Sequence, residues 1–169
     1  MLSVTPDNEE DLSCVVSIPQ QTLELVQKGA CLHRYPVSTA KNGPGEAFGS
    51  ECTPRGKHII RVKIGTDCQS GTVFVGRRPT GEVYSRQLSQ AEPDRDWILS
   101  RILWLSGLEP GFNRLANVDT MRRYIYIHGT ADEENIGQPV SHGCIRMRNT
   151  DLIEIYDQVK LGTIVTINT

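Results

Sequence analysis

Short apolar runs separated by turn residues fill the first half of the chain, and this pattern favours a β fold. The runs LSCVVSI, TLELVQ, CLHRYPVST, HIIRVKI and TVFVGRR combine alternating hydrophobicity with β-branched residues, which is typical of strands. Residues 20–21 separate the first two runs and residues 28–29 the next two, so both connections are predicted to be tight turns. The chain is therefore expected to begin as an antiparallel meander.

The second half of the chain contains a predicted strand and a predicted helix. Residues 122–129, RRYIYIHG, alternate as a strand does and place His128 at the strand end. Residues 149–162 carry helix signals at both ends, with Asn149 or Thr150 as the N-cap and a glycine after the last turn. We therefore expect a strand that ends at the first histidine of this region and a helix that follows the second.

Three other segments complete the outline. Residues 40–56 are polar and rich in glycine and proline, so they are predicted to form a long loop. In residues 96–108 the apolar positions fit a helical face and a strand equally, so the type of element stays open. The run TIVTIN, residues 163–168, is expected to close the sheet. No internal repeat or linker interrupts the chain, and we predict a single domain over residues 1–169.

Charge and hydropathy narrow the classes of partner and the location. The net charge is −2 with acidic and basic residues interspersed, which excludes the basic surface typical of nucleic-acid or anionic-membrane binding. The apolar runs are far shorter than the ~20 residues of a membrane span. The start is acidic, with Asp7, Glu9, Glu10 and Asp11 where a secretory signal would be basic and then apolar. We therefore expect a cytoplasmic protein whose partner is small, neither a nucleic acid nor a membrane.

Cys144 is the cysteine with a candidate chemical role. The five cysteines are an odd number without a CxxC pair, so reduced thiols are expected rather than a disulfide framework. A thiol attacks carbonyl carbon as thiolate, and a nearby imidazole is the usual means of producing thiolate. His142 is two residues away and His128 lies at the upstream strand end, and the residues alone do not choose between them. Gly143 would let its own N–H and that of Cys144 point into one oxyanion site.

The residues alone also allow two other interpretations of the cluster formed by His128, His142 and Cys144. A cysteine beside a histidine is often simple packing, because a free cysteine behaves as a small hydrophobe. His128, His142 and Cys144 are also acceptable zinc ligands, with water as the fourth. The HxC spacing is unusual for a zinc ligand pair, however, and no carboxylate is placed to support the histidines. We therefore expect no metal and no cofactor.

The segment SHGCIRM, residues 141–147, preceded by IHGT at residues 127–130, resembles the catalytic motif of the YkuD-type L,D-transpeptidase domain. The likeness extends upstream to YPVSTAKNG and TPRG and downstream to LGTIVTI, so it spans nearly the whole chain. The resemblance implies a mainly β fold, a single YkuD-like β-sandwich of mixed sheets with a helix near the catalytic corner. It also implies that residues 124–151 form the catalytic motif region.

The resemblance assigns roles to individual residues of this motif region. Cys144 becomes the acylated nucleophile and His128 the general base, with the Gly129 carbonyl orienting the imidazole. Arg146 follows the nucleophile, where a guanidinium suits a substrate carboxylate or a fixed charge network. The other residues expected to bind substrate or shape the site are Ser141 and Thr130, as turn-forming hydroxyls at the pocket edge, together with His142, Gly143 and Tyr126.

The reaction implied by the resemblance is attack of Cys144 on the peptide carbonyl of an L-configured residue, release of a C-terminal D-amino acid and formation of a thioester. The expected donor is a peptidoglycan-derived tetrapeptide stem or muropeptide ending in D-Ala, and a carbapenem is expected to acylate the same cysteine. Because the acidic start argues against wall cross-linking, we predict a cytoplasmic L,D-carboxypeptidase that trims recycled stems. An L,D-transpeptidase and a non-catalytic muropeptide-binding domain are the alternatives. Residues 77–105 are expected to cover or wall the site and so restrict an acceptor.

Overall fold

The computed structural model describes residues 11–169, and its first three strands form the predicted meander. The elements are, in chain order, β1 (Ser13–Ser17), β2 (Thr22–Gln27), β3 (Ala30–Ser38), β4 (Gly56–Ile64), β5 (Thr72–Val75), β6 (Arg78–Val83), α1 (Arg86–Ala91), β7 (Ile98–Gly107), β8 (Tyr126–Gly129), β9 (Ile145–Met147), α2 (Asn149–Gln158) and β10 (Ile164–Asn168). Buried and half-buried positions alternate along β1 and β2, as in strands with one face on a core. Residues 7–10 of the acidic start, on which the expected location depends, lie outside the described residues.

The strands form one mixed sheet that closes on itself. β1 runs antiparallel to β2 on one side and parallel to β10 on the other. From β3 the sheet continues through β9, β8 and β7, and β7 pairs back with β4, the other neighbour of β10. β5 and β6 form a hairpin that is attached to β7 beside this ring. Closure gives every ring strand a partner on both sides, so the ring satisfies its backbone hydrogen bonds internally.

The helix α2 packs against β7 and β8, next to the motif region. It buries Leu152, Ile155 and Tyr156, which join the main core formed by inward residues of the ring. The predicted mainly β class, with a helix beside the motif region, is therefore confirmed. The strands expected in a sandwich of mixed sheets all belong to one mixed sheet, because β7 pairs back with β4. Residues 11–169 contain no helix that is both long and apolar enough to cross a membrane.

The segment whose type the sequence left open contains the strand β7. Leu99, Ile102, Leu103 and Leu105 are all almost inaccessible, so burial does not alternate along the strand. Leu103 and Leu105 belong to the main core with α2, whereas Ile102 packs in a second cluster on the other face. A strand that is buried on both faces reads as a continuous apolar run, which explains why periodicity could not separate strand from helix.

The start of α2 differs from the prediction that Asn149 or Thr150 is the N-cap. The cap position is Arg148, and its side chain makes no capping hydrogen bond. Glu133 supplies the acceptor instead, since its Oε1 accepts the backbone N–H of Asn149 at 2.8 Å. The Asn149 side chain turns away from the helix and donates to the carbonyl oxygen of Thr130 at 2.9 Å. The local pattern predicted the helix correctly but the wrong residue as its cap.

His58 is a fully buried histidine on β4, outside the motif region. Its two ring nitrogens lie 3.0 Å from the Gly56 carbonyl oxygen and 3.0 Å from the Thr120 hydroxyl. A carbonyl can only accept, so Nδ1 carries the proton and Nε2 accepts from Thr120. This arrangement suits a neutral ring, and burial lowers the pKa of His58 to about 4.

We expect His58 to make the fold sensitive to acid. Because its folded-state pKa lies below the ordinary value of ~6.5, the unfolded chain binds more protons between the two values. The stability contributed by neutral His58 is complete above about pH 6.5 and is lost as the pH falls towards 4, by roughly 3 kcal/mol in total. The free energy of unfolding, measured with urea, should decrease less for His58→Gln than for the wild type when the pH is lowered from about 6.5 to about 4.5.

The matched control is His33→Gln, since His33 is exposed on β3. This variant should keep the wild-type loss of unfolding free energy over the same pH range. Equal losses in His58→Gln and the wild type would show that another group controls acid stability.

Candidate active site

The parallel pairing of β8 and β9 brings the two halves of the sequence motif together. In this register His128 lies opposite Arg146. Cys144 comes directly before β9, and the backbone N–H of Tyr126 on β8 donates to its Sγ at 3.3 Å. Two segments that are separated along the chain by a long connection thus become neighbours at one place in the sheet.

A cavity of about 310 Å³ opens at this place. The predicted site residues that line it are Tyr126, His128, Ser141, His142, Cys144 and Arg146. The lining also contains Arg77, Asp96, Ile98 and Tyr124, which the sequence did not single out as site residues. Three of these belong to residues 77–105, so that segment forms part of the cavity wall. The predicted residues outside the lining are Gly129, Thr130 and Gly143.

The Cys144 thiol is held by backbone groups of the neighbouring strand. Its sulfur accepts the Tyr126 N–H at 3.3 Å, and its S–H donates to the Tyr124 carbonyl oxygen at 3.4 Å. Burial raises the pKa of Cys144 to about 11, and the charge of Asp96 acts in the same direction. The Tyr126 N–H and the charge of Arg146 lower the pKa by less than burial raises it. This raised pKa favours the neutral thiol at rest.

His128 is a neutral imidazole with one nitrogen directed by the backbone. Its Nδ1 lies 2.7 Å from the Gly129 carbonyl oxygen, so Nδ1 is the donor and Nε2 keeps its lone pair. Burial lowers the pKa of His128, whereas the Gly129 carbonyl and Asp96 raise it by less. The tautomer is the one that a general base needs, and the Gly129 carbonyl has the position that the resemblance implied.

Gly129 also lets the helix start approach the strand. A Cβ at this position would lie 2.6 Å from the Leu99 carbonyl oxygen and closer still to Oδ1 of Asn149. The Asn149 amide bonds the next residue, Thr130, through its carbonyl oxygen. The hydroxyl of Thr130 accepts the Asp132 N–H at 3.1 Å, as in a turn, and Thr130 does not line the cavity.

The SHGC loop is fixed by two hydroxyl groups. Ser141 Oγ donates to the Cys144 carbonyl oxygen at 2.6 Å and accepts the Gly143 N–H at 3.2 Å. Thr53, which is fully buried, donates from Oγ1 to the Gly143 carbonyl oxygen at 2.9 Å. Gly143 has φ +128°, a region that side chains avoid, and a Cβ there would lie 3.2 Å from the Cys52 carbonyl oxygen. The loop therefore needs glycine at 143 for both space and backbone conformation.

The donor available for an oxyanion differs in one respect from the expected pair. The Gly143 N–H is already directed at Ser141 Oγ. The Cys144 N–H, in contrast, has no acceptor within residues 11–169. Because Thr53 holds the Gly143 carbonyl and the peptide unit is planar, the direction of the Cys144 N–H is fixed as well. This N–H is therefore available to a developing oxyanion.

Two further arginines act near the cysteine. Arg146 forms an ion pair at 3.5 Å with Asp96, whose side chain is largely exposed. Arg123 donates to the Cys52 carbonyl oxygen at 2.6 Å and also bonds Gly45 and Ser50. It thereby ties the long loop of residues 40–56 to the segment that precedes β8. The charge of Arg123 also lowers the pKa of Cys144.

Several of these residues were not predicted from the sequence. Thr53 lies in TPRG, which the family resemblance included, but nothing in the chain indicated its contact with Gly143. No local pattern marked Asp96 or Arg77. In the described part of the chain, no three His, Cys, Asp or Glu side chains converge as the ligands of a metal ion would.

Solved structures with the same fold are L,D-transpeptidases. L,D-transpeptidase 3 from Mycobacterium tuberculosis aligns with a TM-score of 0.58 at 18% identity, covering 94% of this chain and 61% of that one. The L,D-transpeptidase LdtMt1 in complex with imipenem aligns with a TM-score of 0.57 at 20% identity, covering 93% of this chain and 58% of that one. At this identity the likeness establishes the fold alone.

Curated relatives carry the same family name. The putative L,D-transpeptidase YkuD of Bacillus subtilis (strain 168) is 38% identical over 92 residues, which are 53% of this chain and 44% of that protein. The probable L,D-transpeptidase YbiS of Escherichia coli (strain K12) is 46% identical over 41 residues, 24% of this chain and 13% of that protein. The chain thus spans less than half the length of these relatives. The sequence profile of the YkuD L,D-transpeptidase catalytic domain matches residues 13–167, and the chain therefore belongs to this family.

Proposed function

We propose that the chain is a cysteine acyl-transfer enzyme that removes the terminal D-Ala from a peptidoglycan-derived tetrapeptide stem or muropeptide. The observation that carries this proposal is the parallel pairing of β8 and β9, which places Cys144 and His128 on one cavity. Membership of the L,D-transpeptidase family supports acyl transfer as the reaction type. The substrate class is taken from that family and is part of the proposal.

The first step is attack of the thiol with transfer of its proton. Because Cys144 has a raised pKa and His128 a lowered one, the neutral pair is more stable at rest than a thiolate beside an imidazolium. Rotation of the S–H bond away from Tyr124 frees the proton, and His128 Nε2 accepts it as the sulfur bonds the carbonyl carbon of the L-configured residue. The Cys144 N–H stabilises the resulting oxyanion.

The second step breaks the peptide bond. The imidazolium of His128 returns its proton to the nitrogen of the leaving D-Ala, and the tetrahedral intermediate collapses to a thioester on Cys144. A nucleophile then enters from the cavity, gives its proton to His128 Nε2 and attacks the thioester. The thiol regains its proton when the sulfur leaves.

We propose water as that nucleophile, which makes the enzyme an L,D-carboxypeptidase. Residues 77–105 contribute Arg77, Asp96 and Ile98 to the cavity wall, and this supports a site with restricted room for a second peptide. An amine acceptor must be bound and positioned to compete with water, whereas water needs no binding site.

Transpeptidation is the second candidate, favoured by the names of the relatives. A non-catalytic muropeptide-binding domain is the third, and the oriented Nδ1–H of His128 beside an intact Cys144 argues against it. The cytoplasmic location and the role in recycling stay predictions, which fractionation of cells that produce the protein would test.

The products of purified tetrapeptide should be tripeptide and free D-Ala. Because water needs no acceptor site, excess D-amino acid or a second stem should divert little of the product when the mixture is followed by mass. Cys144→Ala should lower the rate by at least about 1,000-fold, since it removes the nucleophile. Its unfolding free energy should stay within about 1 kcal/mol of the wild type, because the thiol contributes little packing.

Cys31→Ala is the control, since Cys31 is exposed on β3 and should be dispensable. A carbapenem is a second probe of Cys144, prompted by the imipenem complex of a structural neighbour. It should add one adduct to the wild type and none to Cys144→Ala. Abundant cross-linked or exchanged stem would make the enzyme a transpeptidase, and full turnover by Cys144→Ala would remove Cys144 as the nucleophile.

Alkylation of Cys144 by iodoacetamide should report a resting thiol rather than a thiolate. Because the pKa of Cys144 is raised to about 11, the alkylation rate should climb steadily up to about pH 9.5 without a plateau near neutrality. Because the pKa of His128 is lowered, the base should stay neutral and kcat/KM should stay level down to below about pH 6.5.

His128→Gln should abolish turnover and leave this alkylation profile nearly unchanged, since a neutral imidazole does not stabilise a thiolate. His142→Gln is the comparison, because His142 lines the same cavity. An alkylation plateau near pH 7 that disappears in His128→Gln would reveal a resting ion pair, and loss of turnover confined to His142→Gln would identify His142 as the base.

Thr53 is expected to position the oxyanion donor. Thr53 Oγ1 donates to the Gly143 carbonyl oxygen and also accepts the Ala40 N–H at 2.9 Å. Thr53→Val keeps the side-chain shape but removes the partner of both groups. Steady-state kinetics should show kcat/KM reduced roughly 10- to 100-fold, mainly through kcat. Thr53→Ser should restore most of the rate, because it restores the hydroxyl. Equal activity in the valine and serine variants would show that the hydroxyl has no such role.

A further inference from the structure

Arg77 reaches the cavity from the tip of the β5–β6 hairpin. The two turn residues Gly76 and Arg77 have φ of 55° and 65°, the pattern of a two-residue type I′ turn. Positive φ is uncommon for a residue with a long side chain, so the turn places Arg77 at a conformational cost. Its side chain lines the same cavity as Cys144.

Aromatic rings hold the Arg77 guanidinium without neutralising it. The guanidinium carbon lies 5.1 Å from the ring centre of Trp104 and 4.9 Å from that of Tyr124. One guanidinium nitrogen also donates to the Tyr126 hydroxyl at 3.3 Å. No carboxylate within residues 11–169 pairs with Arg77. The rings therefore orient a planar cation and leave its charge and several of its N–H groups available.

The other arginine of the cavity is already paired. Arg146 lies 3.5 Å from Asp96, and these two opposite charges offset each other. Of the two roles expected for Arg146, this contact supports a local charge pair, and contact with a substrate carboxylate stays a prediction. Among the lining residues in the described part of the chain, Arg77 is the guanidinium without a carboxylate partner.

We propose that Arg77 is the carboxylate-binding residue of the cavity, which selects donor peptides that carry a free carboxylate close to the bond that is cut. The inference rests on the proposed function and adds its recognition chemistry. Tyr126 links the two ends of the site, because its N–H contacts the Cys144 sulfur and its hydroxyl contacts Arg77. A peptide in this cavity can therefore meet Cys144 with its reacting carbonyl and Arg77 with a nearby carboxylate.

A tetrapeptide stem offers this carboxylate from two sources. One is the C terminus of the departing D-Ala, and the other is the side chain of the third residue when that residue is a diamino dicarboxylic acid. Both are planar anions that a guanidinium binds through two parallel hydrogen bonds. Amidation of one or the other group removes the charge and keeps the shape, so a set of three peptides separates the two sources.

The test is calorimetric binding of these peptides to protein that carries Cys144→Ala, which prevents turnover. Adding Arg77→Gln should weaken binding of the free-acid peptide roughly 10- to 100-fold, the usual effect of losing a charge-assisted hydrogen bond. For protein that keeps Arg77, one of the two amides should bind more weakly than the free acid by a similar factor. Adding Arg77→Gln should then reduce the affinity for that amide little further. The affinity of Arg77→Lys for the free-acid peptide should lie between those of the protein with Arg77 and of Arg77→Gln, because lysine keeps the charge without the planar fork.

Arg78→Gln is the matched control, since Arg78 is the next residue of the same hairpin, is exposed and lies outside the cavity lining. It should leave all three affinities unchanged. The proposal is overturned if the free acid does not bind, or if Arg77→Gln weakens all three peptides equally or none of them. Turnover by protein with Cys144 intact is measured separately, so binding that depends on Arg77 without any turnover would refute the proposed reaction and not the binding role.

Discussion

The site depends on one short parallel pairing, that of β8 with β9. Parallel neighbours require a crossover connection, and here the residues of that connection include the SHGC loop. β9 has three residues and is held between β3 and β8, so its position is determined by the closed ring rather than by its own length. Cys144 meets the Tyr126 N–H because of this register. A slip of one residue would turn every side chain of β9 to the opposite face and separate the cysteine from His128.

Burial determines the protonation states at the site. It raises the pKa of Cys144 and lowers that of His128, which favours the neutral form of both groups before substrate arrives. A neutral thiol reacts slowly with electrophiles, and this protects the cysteine from adventitious alkylation and oxidation. In the mechanism proposed here, the thiolate forms only as the carbonyl carbon is attacked. The hydroxyls of Thr53 and Ser141 hold the loop in its reactive geometry beforehand, so little reorganisation remains for that moment.

The features that the sequence predicted are those with local or periodic causes. The meander, the helix after the motif and the mainly β class follow from alternation and turn residues. The ambiguity of β7 and the wrong cap residue of α2 arose where tertiary contacts override local pattern: β7 is buried on both faces, and Glu133 caps α2 from sixteen residues upstream. The same reason hid Thr53, which meets Gly143 across 90 residues, and Arg77, whose partners lie on other strands. The family motif marked the reacting groups, but not the residues that hold them in place.

The ring holds the reacting groups Cys144 and His128, and the β5–β6 hairpin carries Arg77, which is proposed to bind the substrate carboxylate. Closure leaves each ring strand paired on both sides, whereas β6 has a partner on one side only within residues 11–169. Pro79 and the charged residues Arg78 and Glu82 on β6 discourage pairing with another chain at that edge. The exposed strand β6 and the turn before it can therefore vary without disturbing the register that places His128 opposite Arg146. Substrate preference would therefore evolve mainly through changes in this hairpin. Related proteins would keep the chemistry of the ring and differ in the peptides that they cut.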